Sequence, residues 1–167
     1  TKMGGRRYYL GEKLLRLLHF GCGNDLIGKL VEKPLQEMAD SICETTILSR
    51  LRSSSIEIAV ARTPKDCRAG FIQLPLGPTP LAFQPDEVVE RFLTGGFAQF
   101  TRATRVSRAA ILEELESVRA QGYAICDQEI DLGIYSIALP VQVPRLGVAY
   151  SIAIAGPAER MRQRPTA

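Results

Sequence analysis

The sequence predicts an α+β fold built on a mainly antiparallel sheet with flanking helices. Three apolar runs lie at close spacing between Gly122 and Pro157, and a further pair surrounds Arg52 to Ser55. Helical stripes fill separate blocks of the chain, without a strict strand–helix–strand rhythm, and that grouping favours antiparallel over parallel pairing.

In chain order, Leu10, Leu14, Leu15, Leu17 and Leu18 mark one helix face, which Gly21 and Gly23 end. His19, the only histidine, stands beside that helix end, a place for a capping or surface group rather than a catalyst. From Asn24 or Asp25 as N-cap, a second stripe runs through Leu26, Ile27, Leu30, Val31, Leu35, Met38, Ala39 and Ile42. Pro34 interrupts it, which predicts a kink or two helices meeting there. The run from Thr46 to Arg62 reads as a hairpin about Arg52 to Ser55, and Ala69 to Leu76 as a further strand.

Pro78 and Pro80 bar a helix from running through the next stretch. One can begin at Pro85, where the missing N–H is harmless and Asp86 and Glu87 suit the positive pole; Gly95 and Gly96 should stop it. Ser107 is the expected N-cap of the following helix and Gly122 its C-cap, with Ile111, Leu112, Leu115 and Val118 as the buried stripe and Arg119 near the negative pole. The three strands follow, then a polar tail from Arg160 to Ala167.

At 167 residues, 46% hydrophobic and 23% charged, the chain is one globular domain with enough material for a core. Nothing approaches the length of a membrane span, and no apolar segment of signal-peptide type follows the basic, aromatic first ten residues, so a cytoplasmic location is expected. Cysteines at 22, 43, 67 and 126 show no CxxC or histidine-paired spacing, which predicts reduced thiols and no metal site. A net charge of +3 does not argue for nucleic acid by itself. The basic residues gather at the ends, with Lys2, Arg6, Arg7 and Lys13 at one and Arg160, Arg162 and Arg164 at the other, as solvated tails do.

Asp127, Glu129 and Asp131 share a face if their strand persists that far. Without a fourth ligand nearby in sequence, solvated turn carboxylates are the plainer reading than a cation site. No nucleophile, glycine loop or oxyanion motif accompanies them, so no catalytic residues, no cofactor and no enzyme activity are expected. Cys126 has no histidine partner in sequence and reads as structural.

Arg119, Gly122 and Tyr123, then Glu129, then Gly133, Ser136, Ile137, Ala138, Pro140 and Val141, and last Gly156–Pro157, fall in one order and spacing. That set resembles the effector-binding domain of the isocitrate lyase regulator (IclR) family of bacterial transcription factors. Upstream, Tyr9–Leu10–Gly11 with Leu14 and Leu15 is similar to the family's join between DNA-binding wing and linker helix. Leu74–Pro75–Leu76 and Leu81–Ala82–Phe83 look like the two ends of its pocket-forming segment.

The resemblance implies a GAF-like domain, with a curved antiparallel sheet backed by helices, which binds a small-molecule effector and tunes how a separate winged helix-turn-helix domain holds operator DNA. A homodimer or tetramer is implied as well. By that division, residues 1–23 are a remnant of wing and linker helix, 24–160 the effector-binding domain and 161–167 a disordered tail. Operator DNA would be met only through the winged domain, absent from this chain, and no membrane is involved.

Three departures from the family pattern stand out. The winged domain and the family's final helix are missing at the ends. Between Leu76 and Leu81 only Gly-Pro-Thr-Pro stands where the family has a longer run that opens a helix, and Pro78 and Pro80 have no N–H to offer an anion. Cys126, Ala153 and Ala155 replace polar residues of the family's pocket. The effector-binding residues expected are Leu76, Gly77, Thr79, Leu81, Cys126, Glu129, Ile134, Ser136, Ala153 and Ala155. A pocket so lined favours an apolar or aromatic acid over a small dicarboxylate. The alternative is an interaction and dimerisation domain whose pocket is closed by its own side chains.

Overall fold

The computed structural model describes residues 25–52, 55–65, 79–143 and 147–163. The expected linker helix, the strand from Ala69 to Leu76, His19, Leu76 and Gly77 lie outside the described residues. Helix α1 spans Asp25–Ile42, strands β1 and β2 span Thr45–Arg52 and Ser55–Arg62, and helices α2, α3 and α4 span Thr79–Ala82, Asp86–Leu93 and Arg108–Gln121. Strands β3 (Ala124–Asp127), β4 (Ile134–Val143) and β5 (Gly147–Pro157) follow, and α5 (Ala158–Arg162) comes after them. The five strands form one sheet in the order β2-β1-β5-β4-β3. All four pairings are antiparallel, as the grouping of elements predicts.

Local chemistry accounts for the element ends. Ser107 Oγ accepts from the Ala110 N–H at 3.2 Å, and Gly122 closes α4 in the left-handed region at φ 82°, where a Cβ would be strained. Pro85 precedes α3, with Asp86 and Glu87 in its first turn. The hairpin forms as expected, with Arg52 opposite Ser55. Helix α1 continues through Pro34 as a single element of 18 residues. Leu30, whose carbonyl loses its partner when residue 34 is proline, is 68% exposed, so solvent can satisfy the freed group. Met38 also faces outward, whereas Leu35 and Ala39 carry the buried part of the stripe.

Register gives the sheet two distinct faces. Leu48, Val60 and Tyr150 lie on one and pack with Leu35 of α1, where Thr46 Oγ1 donates to the Leu35 carbonyl at 2.8 Å. The other face is built of small residues: Cys126 pairs with Ser136, which pairs with Ala155, which pairs with Thr45. Beside that row, Ala124, Ala138, Ala153 and Ile47 are likewise in register. Side chains this short let α2 approach β1, β4 and β5, with Thr79 and Pro80 fully buried. A second core of Leu81, Val89, Leu93, Ile111, Leu115 and Val118 joins α2, α3 and α4 to Ala124 of β3.

Four sequence expectations need correction. Helix α2 includes Pro80, which sits in the first turn where its missing N–H leaves no helical bond unmade, and a final helix, α5, does follow Gly156–Pro157. The chain does not become an unheld tail at residue 160 or 161. Met161 is 5% exposed, and Arg160 and Arg162 reach back to Glu44 and Asp127, because α5 turns directly out of β5 at Pro157 and lies against the sheet. Nor are all thiols reduced: Cys43 is disulfide-bonded, whereas Cys126 is free. No helix among the described residues is long and apolar enough to cross a membrane.

Candidate ligand cavity

Strand β3 is only four residues long, and this brevity shapes the site. Past Asp127 the chain leaves the sheet, with Gln128 at φ 58°, and returns at Gly133, φ 84°. The three carboxylates therefore part company. Asp127 pairs with Arg162 through both oxygens at 2.5 and 2.7 Å, Glu129 turns to Arg105, and Asp131 is exposed. The loop is pinned from the far side by Thr101 Oγ1, which donates to the Gln128 carbonyl at 2.7 Å, and by Thr104 Oγ1, which donates to the Glu129 carbonyl.

Between that loop, β3 and the helices lies a cavity of about 450 Å³. Its body is apolar: Leu81 from α2, Phe92 from α3, Phe97 beyond it, Ile111 from α4 and Ile125 from β3. Ser55 and Ile56 at the start of β2 and Gly95 and Gly96 at the end of α3 border it. The charged lining among the described residues is one group. Arg105 Nη1 meets Glu129 Oε1 and its Nη2 lies 3.4 Å from Glu114 Oε2. The two carboxylate side chains are 17% and 13% exposed, the arginine 39%. Burial raises the Glu129 pKa, with Arg105 pulling against it.

Cys126 also lines the cavity. Burial and then the negative charge of Glu129 push its thiol up to about 11, although hydrogen bonds from the Glu129 backbone and the Ser136 hydroxyl favour the thiolate. It is a neutral wall group at physiological pH, without the activated character a nucleophile needs.

Of the expected effector-binding residues, Leu81, Cys126 and Glu129 meet at this cavity. Ser136 lies one strand further in, cross-strand from Cys126 and 8% exposed. Ala153, Ala155 and Ile134 form part of a core cluster with Ile47 and Ala138 on the face that α2 covers. Thr79 is fully buried, and its hydroxyl, like that of Thr45, has no hydrogen-bond partner among the described residues. Arg105, Glu114, Phe92 and Phe97 carry no motif in the sequence. The ion pairs of Arg105 with Glu129 and Glu114, and the packing of Phe92 and Phe97 against the helical core, bring them together.

Comparison with known proteins places this arrangement. Residues 75–167 match the family model for the C-terminal region of the bacterial transcriptional regulator IclR. The HTH-type transcriptional regulator XynR of Escherichia coli is 27% identical over 147 residues, covering 81% of this chain and 58% of XynR. The chain thus spans little more than half the length of that relative, and less of the AllR repressors, which are 32% identical over about half of it. Among solved structures, a protein of Silicibacter sp. TM1040 assigned to the IclR regulators superposes with a TM-score of 0.74 at 25% identity, covering 96% of this chain and 67% of its own. The inducer-binding domain of PobR from Acinetobacter, in complex with 3-hydroxybenzoic acid, shares the fold with a TM-score of 0.68 at 19% identity, covering 80% of this chain and 84% of its own.

Proposed function

The chain belongs to the IclR family of bacterial transcriptional regulators, and on that footing we propose that it senses a small organic ligand with an apolar or aromatic body. The observation that carries this reading is the cavity of about 450 Å³, within the range that small-molecule sites occupy and apolar over most of its lining. In this reading Leu81, Cys126 and Glu129 touch the ligand. Thr79, Ile134, Ser136, Ala153 and Ala155 form the packed wall behind them. The 3-hydroxybenzoic acid held by a double mutant of the PobR domain supports a ligand with an aromatic body of this size.

In the longer protein, the domain pairs with a second copy in the cytoplasm and ligand occupancy biases a winged helix-turn-helix domain on operator DNA. The family's matched members are regulators of transcription, not enzymes.

The competing reading, a closed interaction domain, draws on the full burial of Thr79 and Pro80 over the small-residue face. It has no use for the cavity beside Cys126. Thermal unfolding against a panel of arylalkyl and alkyl acids, amides and amines at millimolar concentration separates the two. At least one compound is expected to raise the melting temperature in a concentration-dependent way, since a ligand held only by the folded state stabilises it by mass action. A flat response across the whole panel sinks the sensing reading. Light scattering on the same samples checks the dimer.

A further inference from the structure

We propose that the cavity selects its ligand by a hydrogen-bond-donating head, cationic or neutral, such as an amine or amide, and discriminates against carboxylates. This rests on the cavity being the sensing site and goes further in naming the head group, against the acid that the sequence alone suggests.

The charged wall carries more anions than cations. Among the described lining residues, Glu114 and Glu129 face a single cation, Arg105. That guanidinium is already committed to both carboxylates, and at 39% side-chain exposure it is the most solvent-facing of the three. A ligand carboxylate would enter as a third anion for one cation. To reach Arg105 it would have to displace Glu129 or Glu114, leaving a largely buried carboxylate without its partner, which is costly.

Among the described side chains of this wall, two carboxylates face one guanidinium. The Arg105 side chain meets one oxygen of each glutamate, and the Arg105 backbone N–H is a further donor to Glu129. Thr104 does not redress the balance, because its hydroxyl proton goes to the Glu129 carbonyl while its oxygen takes the Thr101 N–H at 2.8 Å. The C-terminal end of α3, where carbonyl groups outnumber N–H groups, borders the cavity at Gly95 and Gly96.

The apolar lining favours the same head group on independent grounds. Phe92, Phe97 and Phe100 all border the cavity, and aromatic faces attract cations through the negative face of the ring. Carboxylates together with aromatic rings are what recognise organic ammonium groups; neither element assists an anion.

The experiment uses the 167-residue chain and three probes of one shape, 2-phenylethylamine, 2-phenylacetamide and phenylacetate, with affinities measured by calorimetry and thermal shift. The amine or amide is expected to bind about tenfold or more tighter than the acid. Glu129→Gln should shrink that ratio at least about fivefold, and Glu114→Gln, on another element, should shift it the same way. Phenylacetate binding as tightly as the others, or a ratio unmoved by both variants, overturns the head-group assignment while leaving a ligand-sensing cavity in place. Binding by none of the three probes overturns it as well, and only a flat response to the wider panel also removes the sensing reading. Because the wild-type series is decisive by itself, a variant that fails to fold does not rescue the proposal.

Discussion

Glu44 and Glu129 are both carboxylates that the fold has largely taken out of water and set against an arginine, yet they differ in what surrounds them. Glu44, 1% exposed at its side chain, is held through both oxygens by Arg160 at 2.5 and 2.9 Å. It also fills the space above Gly156, where a Cβ would come within 2.7 Å of its Cδ. Glu129 receives the Arg105 side chain and its backbone N–H, and it borders a cavity. The first arrangement fastens α5 to the sheet; the second holds a loop residue at a cavity wall. These two carboxylates set against arginines thus differ in setting, one packed inside the fold and one beside open space.

The strongest way to break this contrast is Arg160→Met. It removes the guanidinium that holds both oxygens of a buried carboxylate, and a loss of about 3 kcal/mol in urea unfolding is expected, at the low end for buried pairs because Arg160 is itself partly in solvent. A loss under about 1 kcal/mol would mean that Glu44 is no more committed than a surface residue.

Cys126 tests how dry the cavity wall is. In the unfolded chain its thiol ionises near the usual 9.0, whereas in the folded protein ionisation waits until about 11. Between those values the unfolded state has released a proton that the folded state keeps, so this contribution to stability is intact below the unfolded value and declines as pH rises through the folded one. A loss of about 2 to 3 kcal/mol over that window is expected, and Cys126→Ala should remove it. Equal slopes in the two proteins would show a wet wall and a well-hydrated Glu129.

The smallest effect is the sharpest. Glu129→Gln should change stability by less than about 1 kcal/mol, since Arg105 keeps Glu114 and the amide still accepts a hydrogen bond from it. A change as large as that from Arg160→Met would put Glu129 with the fastenings.

Much of the fold is legible from local chemistry. Ser107 and Gly122 announce both ends of α4, and the apolar runs about Arg52 to Ser55 and after Gly122 announce the strands, because caps and period-2 patterns depend on neighbours in sequence. Alternation also puts Ser136 and Ala138, and Ala153 and Ala155, on one face, which register confirms. What alternation does not state is which layer covers that face. Helix α2 does so through Thr79 and Pro80. The cavity draws on residues from Ser55 to Ile130. Arg105 in particular sits in an irregular loop and gains its meaning only from Glu114 and Glu129, partners that no local pattern assigns. The hold on α5 escapes sequence reading for the same reason: Arg160 and Glu44 are 116 positions apart.

The hydroxyls of Thr45 and Thr79, without a partner among the described residues, have a consequence of a different kind. Each such group costs roughly 1–3 kcal/mol in a domain whose whole stability is of the order of 5–15 kcal/mol. Valine has the same shape and asks for no partner. The face beneath α2 is accordingly where this scaffold has room to be hardened, and because neither threonine lines the cavity, Thr45→Val and Thr79→Val leave its lining unchanged.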